Sequence, residues 1–324
     1  GLAVGPDLTY CRVRITSGPS DSWEGRGGGE VGEEMILAKD LIGNVLRNHV
    51  EVLEEFPGSE LIGKAYTPLF PGAVDGTGHP SAWTVVGADF VTTTDGTGVV
   101  HTAVMYGEDD YRLGMDVGFP AQHTVGVDGK FVSGIHESID GKYVKECDDI
   151  IINILSSEGS LYREHSYTHD YPHCWRTDHP LLYYAMDSWF VRMTAVKEEI
   201  LQYNSEVEWA PEWTGTKRMG EWLSNIKDWA ISRERYWGTP LPVWICGKCG
   251  NEHCVGSLEE LSEMKTDSSE MPPELHRPYV DEIALLCPND GCGGEMTREP
   301  YVMDCWFDSG CASFAQWHYP FENT

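Results

Sequence analysis

The chain has 324 residues, 41% hydrophobic and 11% aromatic; this is a globular composition, too long for one ordinary core, so two or three domains are expected. No apolar run approaches the roughly 18 residues needed to cross a bilayer, and no charged n-region or cleavage pattern marks a secretion signal. With 23 Lys and Arg against 52 Asp and Glu the net charge is −29, a balance that favours solubility, repels phosphate backbones at long range and weighs against nucleic-acid binding.

The first residues lack an initiator Met and read like the middle of a domain, and the end at Phe321-Glu322-Asn323-Thr324 is equally abrupt. The expectation is a piece of a longer protein. Residues 9–16 alternate Tyr10, Arg12 and Arg14 with Cys11, Val13 and Ile15, the period of a strand. Ser17 to Gly32 reads as a loop. Its glycines (Gly25, Gly27, Gly28, Gly29) resemble a phosphate loop, but no Lys-Ser/Thr follows, so a surface connection is the better reading. Glu33–Arg47 carries Met35, Ala38, Leu41, Ile42, Val45 and Leu46 at helical spacing and predicts a helix. Residues 60–130 alternate short β-rich runs with Gly, Asp and Thr turns.

A strand-like run from Trp83 to Val91 precedes Gly96-Thr97-Gly98-Val99-Val100-His101-Thr102-Ala103 and Gly107-Glu108-Asp109-Asp110-Tyr111. Glycines let a backbone approach a ligand, and an imidazole with a carboxylate supplies hydrogen bonding and acid–base capacity. Read alone, this is a candidate polar pocket; equally, His101 is a satisfied strand histidine and Asp109-Asp110 a solvated turn or helix N-terminus. A helix is predicted over Asp148–Ser157, with Ile151, Ile154 and Leu155 as its apolar face and Gly159 as its stop. Together these elements predict an α/β or α+β domain ending near residue 170.

Beyond it tryptophans and arginines become frequent, with helical patterns at Thr194–Tyr203 and Thr216–Ile226. Arg233 and Arg235 are open to two readings, phosphate contact or ordinary ion pairing. Ten cysteines in a chain without a secretion signal indicate a reducing, cytoplasmic setting rather than a disulfide framework. Cys246-Gly247-Lys248-Cys249 is a knuckle, and Cys287-Pro288-Asn289-Asp290-Gly291-Cys292 a looser second one. Two such turns can aim four thiolates at one structural zinc, which would substitute for a core that so short a module cannot build. Cys254 and His253 are lower-ranked alternatives. Cys11, Cys147, Cys174, Cys305 and Cys311 read as buried small residues.

Taken together, several segments resemble isoleucyl-tRNA synthetase, a class I aminoacyl-tRNA synthetase. The run from Gly96 to Ala103 with Gly107 to Tyr111 looks like its editing-site motif, and Tyr171-Pro172-His173-Cys174-Trp175-Arg176 looks like the exit from its editing insertion. Trp189-Phe190-Val191-Arg192, Ile231 to Pro240, Asp304-Cys305-Trp306-Phe307-Asp308-Ser309-Gly310 and His318-Tyr319-Pro320-Phe321-Glu322 look like segments that rejoin the catalytic fold. One departure is Val104-Met105-Tyr106, where relatives usually carry Pro-Ala-Phe or similar, so an altered pocket wall is expected. The HIGH and KMSKS signatures are absent, as is the threonine-rich editing peptide.

The resemblance implies an α/β fold: a sheet-rich, β-barrel-like editing domain with flanking helices over 1–170, Rossmann-type catalytic segments over 171–244 and 301–324, and a zinc-ribbon-like module over 245–300. It implies hydrolysis of valyl-tRNA(Ile), and of valyl-adenylate, by water attack. Asp110 would bind the substrate ammonium, His101 would limit side-chain size, and Gly96, Thr97, Gly98 and Thr102 would shape the approach to the terminal adenosine. Trp306 would wall the isoleucine pocket of the synthetic site. Zinc at Cys246, Cys249, Cys287 and Cys292 is the structural cofactor, while ATP and Mg belong to the parent enzyme alone. The partners implied are the tRNA(Ile) acceptor end and valine or isoleucine esters and adenylates, with no membrane and a monomeric chain. A non-catalytic tRNA-acceptor binding module is the alternative.

Overall fold

A computed structural model describes residues 1–19, 28–164, 166, 168–266 and 270–323. The glycines Gly25 and Gly27 of the loop reading lie outside the described residues. Chain contacts divide the protein into two units, Gly1–Ala185 and Met186–Thr324.

In the first unit β1 (Leu2–Val4) is the middle strand of a small sheet. Three more strands precede its partners in the chain: β2 (Thr9–Pro19), β3 (Glu34–Ala38) and β4 (Asn48–Pro57). The partners are β5 (Val85–Gly87), parallel, and β6 (Val99–His101), antiparallel. A second sheet runs β3-β2-β4, antiparallel throughout. The alternation read in β2 holds on one face: Cys11, Val13 and Ile15 are buried, while Arg12 and Arg14 lie on the open face. There Arg12 meets Glu54 at 3.0 Å and Arg14 meets Glu34 at 2.6 Å, each pair directly opposite in register. Tyr10 breaks the alternation; it is fully buried with Val4, Ala38, Leu41, Phe56 and Leu61.

The helix expected over 33–47 is a correction. Glu34–Ala38 is strand β3, and only α1 (Ile42–Val45) is α-helical, after a 3-10 turn at Lys39–Leu41. The apolar spacing fits both periods over so short a stretch, and pairing with β2 decides for the strand. The run from Trp83 to Val91 contributes strand only at β5. α2 (Glu108–Val117) follows Gly107 and stops at Gly118, whose φ of 74° is the left-handed conformation glycine tolerates. α3 (Asp148–Ser157) has the predicted bounds, with Gly159 at φ 69° just beyond it, and packs Ile150, Ile151 and Ile154 against Ile135, Ile139 and Cys147.

The second unit begins with β7 (Phe190–Val191), α4 (Lys197–Glu206), α5 (Gly220–Ser224), β8 (Trp229–Ala230) and β9 (Ser232–Arg233). A π turn at Thr214–Met219 precedes α5, so the pattern read over Thr216–Ile226 becomes only partly α-helical. The cysteine-bearing module holds β10 (Val243–Cys246), β11 (Glu252–Cys254), α6 (Leu258–Met264), β12 (Leu285–Leu286) and β13 (Glu295–Arg298), in an antiparallel sheet ordered β11-β10-β13-β12. β14 (Val302–Met303) and α7 (Cys305–Ala315) close the described chain. The stretches expected to rejoin a catalytic fold form the antiparallel pairs β7–β8 and β9–β14. The module also builds more core than expected: Trp244, Val255, Leu261, Val280, Ile283, Leu285 and Met296 bury together with Cys246.

The result is a mixed α/β structure of several small sheets. Among the described residues no helix is long and apolar enough to cross a membrane.

Candidate functional site

The glycine run enters β6 under tight constraint. Gly96 and Gly98 have φ values of 73° and 76°, and a Cβ on Gly98 would lie 2.4 Å from that of Ala38. Only glycine fits both the conformation and the contact. The Ala38 N–H donates to the Thr97 carbonyl at 2.9 Å, and the buried Tyr10 hydroxyl donates to the Gly98 carbonyl while accepting from the Gly5 N–H at 3.0 Å. Tyr10 is thus a brace that the alternation placed on the wrong side of β2. Its signal was chemical, since a tyrosine that buries its ring must find a partner for its hydroxyl.

His101 ends β6. Part of its residue is exposed, yet the surrounding protein pushes its imidazole below the usual value by desolvation, which Asp110 opposes. Asp110 sits in the first turn of α2 with Glu108 and Asp109. Its Oδ2 accepts from the Ala103 N–H at 3.2 Å, tying the helix to the segment just after β6, and Oδ1 has no hydrogen-bond partner among the described residues. A Cβ on Gly107 would lie 2.8 Å from Oδ2, so the glycine leaves room for this carboxylate. The structure therefore places the predicted imidazole and carboxylate in one electrostatic neighbourhood.

The remaining members of the run differ in access. Gly96 faces open space, and the Thr97 hydroxyl accepts from the Val99 N–H at 3.2 Å in an exposed turn. Thr102 is 2% exposed, its Oγ1 has no hydrogen-bond partner among the described residues, and its backbone exchanges hydrogen bonds with Gly1. Val104, expected as an altered pocket wall, instead packs in the core with Ala3, Val86 and Phe119, against Gly114 of α2. Tyr106 uses its hydroxyl as an acceptor for the N–H groups of Thr124 and Val125, at 2.7 and 2.8 Å.

In the second unit the four predicted cysteines converge. One sulfur from each of Cys246, Cys249, Cys287 and Cys292 lies within 4.8 Å of the others. Sulfur separations of 3.7 Å (Cys246–Cys292) and 3.6 Å (Cys249–Cys287) approach the about 3.8 Å edge of a tetrahedron with metal–sulfur bonds of about 2.3 Å. The Cys249 and Lys248 N–H groups bring the Cys246 thiol down to about 6. Cys287 receives the Asn289 N–H, which favours its thiolate, but burial and the neighbouring thiols outweigh it and push it up to about 12. Packed thiols resist sharing negative charge, and a cation among them relieves that resistance. Gly294 backs the cluster: a Cβ there would meet Cys246 Sγ at 2.7 Å. These residues could hold a metal ion. Cys254 and His253 lie outside the cluster, and His253 Nε2 is 2.9 Å from Glu260.

Of the cysteines read as buried, Cys11 and Cys147 are; Cys174 and Cys311 are half-buried and Cys305 is exposed. α7 starts at Asp304, whose Oδ1 caps Trp306 N at 3.1 Å and whose Oδ2 pairs with Arg233. Arg233 also donates to the Ala230 and Ser232 carbonyls, so in this structure it is ion-paired and backbone-bound. Trp306 itself is 71% exposed.

A family profile described as tRNA synthetases class I (I, L, M and V) matches residues 38–324. The isoleucine–tRNA ligase of Clostridium novyi is 50% identical over 90% of this chain and 27% of its own length. The isoleucine–tRNA ligase 2 of Bacillus cereus is 44% identical over 99% of this chain and 29% of its own, and the isoleucine–tRNA ligase of Thermus thermophilus is 43% identical over 91% and 27%. A solved structure described as the crystal structure of GlLeuRS-CP1 aligns at 14% identity and a TM-score of 0.35, over 51% of this chain and 78% of that one. The chain spans less than a third of the length of the curated relatives it matches. It belongs to the class I tRNA synthetases of the isoleucine, leucine, methionine and valine group, and corresponds to a segment of isoleucine–tRNA ligase.

Proposed function

We propose that this chain carries the proofreading site of an isoleucine–tRNA ligase and hydrolyses valine wrongly esterified to tRNA(Ile). An isoleucine site rejects valine weakly, because one missing methylene is worth only about 1–3 kcal/mol, so a second hydrolytic pocket is needed. The observation that carries the reading is the Asp110 carboxylate, fixed through Oδ2 by the Ala103 N–H, with Oδ1 unpartnered among the described residues and His101 in its field.

An ionised carboxylate with a spare oxygen is the natural partner of the ammonium that every aminoacyl ester presents. His101, held neutral by its surroundings, offers a hydrogen bond near the ester and a ring that limits side-chain length. No serine or cysteine is assigned as nucleophile, so water attacks the ester carbonyl and the ribose hydroxyl leaves. The packing of Val104 into the core supports the reading, since it gives this departure a structural role away from solvent. The four cysteines fit zinc, which would fix the two knuckles in one geometry and take no part in hydrolysis.

The test is deacylation by this chain of valyl-tRNA(Ile) against isoleucyl-tRNA(Ile). A preference of about tenfold or more for the valyl ester is expected. Equal rates on both esters, or a valyl rate no faster than in buffer, overturn the reading.

A further inference from the structure

Tyr106 lies in the chain between the two partners of the Asp110 bond, and its side chain is anchored on a neighbouring loop. Its N–H donates to the Ala103 carbonyl at 2.9 Å, closing the turn whose Ala103 N–H holds Asp110. The residue after it, Gly107, is the N-cap of α2, the helix that carries Asp110. Wherever Tyr106 is held, donor and carboxylate are held with it. Its hydroxyl accepts from the successive N–H groups of Thr124 and Val125 at 2.7 and 2.8 Å, and Thr124 Oγ1 lies 3.2 Å away. That loop is itself fixed. The Tyr184 hydroxyl donates to the Val125 carbonyl at 3.1 Å, and the His123 ring stacks on Tyr184 with centroids 4.1 Å apart and planes within 10°. Tyr106 meets both rings near edge-on, its centroid 6.0 Å from each. His123 Nδ1 is buried with no hydrogen-bond partner among the described residues, so stacking rather than that nitrogen holds the ring.

We propose that Tyr106 is a positioning residue of the hydrolytic site: its hydroxyl, seated on the 123–125 loop, fixes the Ala103–Asp110 bond and so aims the free Asp110 oxygen at the substrate ammonium. The substrate in this statement rests on the proofreading reading, whereas the tie from loop to carboxylate belongs to the free protein. Two backbone donors converge on one hydroxyl oxygen, and removing it leaves both without an acceptor in a part-buried loop, the costly side of a lost hydrogen bond. Phenylalanine keeps the ring and its edge contacts but must let the loop move. The ammonium carries its charge both in the bound ester and in the transition state. A misaimed carboxylate therefore weakens both states equally, which raises KM and leaves kcat in place. A change that only reduced the folded fraction would do the reverse, lowering the apparent kcat at constant KM.

The test is Tyr106→Phe in the full 324-residue chain, read in two ways. Amide hydrogen exchange, followed by NMR without substrate, should speed up about tenfold at Ala103. The Ala88 amide, bonded to the Val4 carbonyl in the same unit, should keep its rate. In deacylation of valyl-tRNA(Ile), KM should rise about fivefold while kcat stays within about twofold. Adding Tyr106→Phe to Asp110→Ala should change the rate no further, because the tyrosine acts through that carboxylate. An unchanged Ala103 amide, a fall in kcat at constant KM, or losses that add in the double variant each overturn the proposal. If the parent chain hydrolyses neither ester, the proofreading reading fails, and the Ala103 amide alone still decides whether Tyr106 holds Asp110 in place.

Discussion

The cysteine cluster of the second unit and the imidazole–carboxylate site of the first are assembled over different distances along the chain. Each knuckle is a turn closed by its own backbone, as where the Gly250 N–H donates to the Cys246 carbonyl and the Cys292 N–H to the Asn289 carbonyl. One pairing, β10 with β13, then brings both knuckles together. The pocket instead depends on β6 pairing with β1, on Gly98 meeting Ala38, and on α2 packing over Val104. The first arrangement should fail abruptly when one ligand is lost. The second should degrade by steps.

The sharpest break is expected at Cys249→Ser. One bound metal ion per chain should fall to none, measured by elemental analysis after dialysis, because a four-thiolate site loses most of its affinity with one donor. Stoichiometric metal in the variant would show that the cluster is not the site. Next comes Arg298→Leu, which strips a buried guanidinium from Asp281 and from the Leu241 and Tyr301 carbonyls. Acceptors left without donors predict a loss of about 3 kcal/mol in urea unfolding of the second unit. A loss below about 1 kcal/mol would mean that water replaces the arginine without penalty.

On the pocket side, Asp110→Ala should slow valyl-tRNA(Ile) deacylation about 100-fold, since the substrate ammonium loses its charged partner. Retained hydrolysis would remove Asp110 from the site.

The contrast between the two regions also explains what the sequence disclosed. The knuckles were legible because their geometry is written within six residues, and α3 because its periodicity and its glycine stop agree. Tyr10 and β3 were not legible from pattern: Tyr10 is drawn inward by the Gly98 carbonyl, 88 residues away, and β3 is decided by pairing with β2. Cys305 was misplaced because a small apolar residue on a short helix follows the packing of that helix, which no local signal states. His101 and Asp110 were recognisable as chemistry, but the bond from Asp110 to the Ala103 N–H that unites them is tertiary.

A smaller effect isolates that tertiary dependence. Gly98→Ala touches no reacting group, yet it places a methyl 2.4 Å from the Ala38 Cβ at a φ of 76°. Strain at such a position costs about 2 kcal/mol, and the entry to β6 should shift. Thermal unfolding should record the loss while the cysteine cluster keeps its metal; loss of both together would show that the two regions do not respond separately.

The smallest effect concerns His101 and acid. Its folded pKa lies below the unfolded value because desolvation penalises the imidazolium. The unfolded chain therefore binds more protons in the acid window, and stability is full above the unfolded value of about 6.5 and is lost as pH falls below it, through the folded pKa. The neutral ring is also the form assigned to the pocket. Discrimination between valyl and isoleucyl esters should then hold steady from pH 8 to below about 6.5 and decline only in stronger acid. His101→Ala should remove the decline and admit the isoleucyl ester, narrowing the preference by about tenfold. A selectivity midpoint at or above 6.5 would mean that the ring titrates as if in water, and the strand end would then be a surface rather than a pocket.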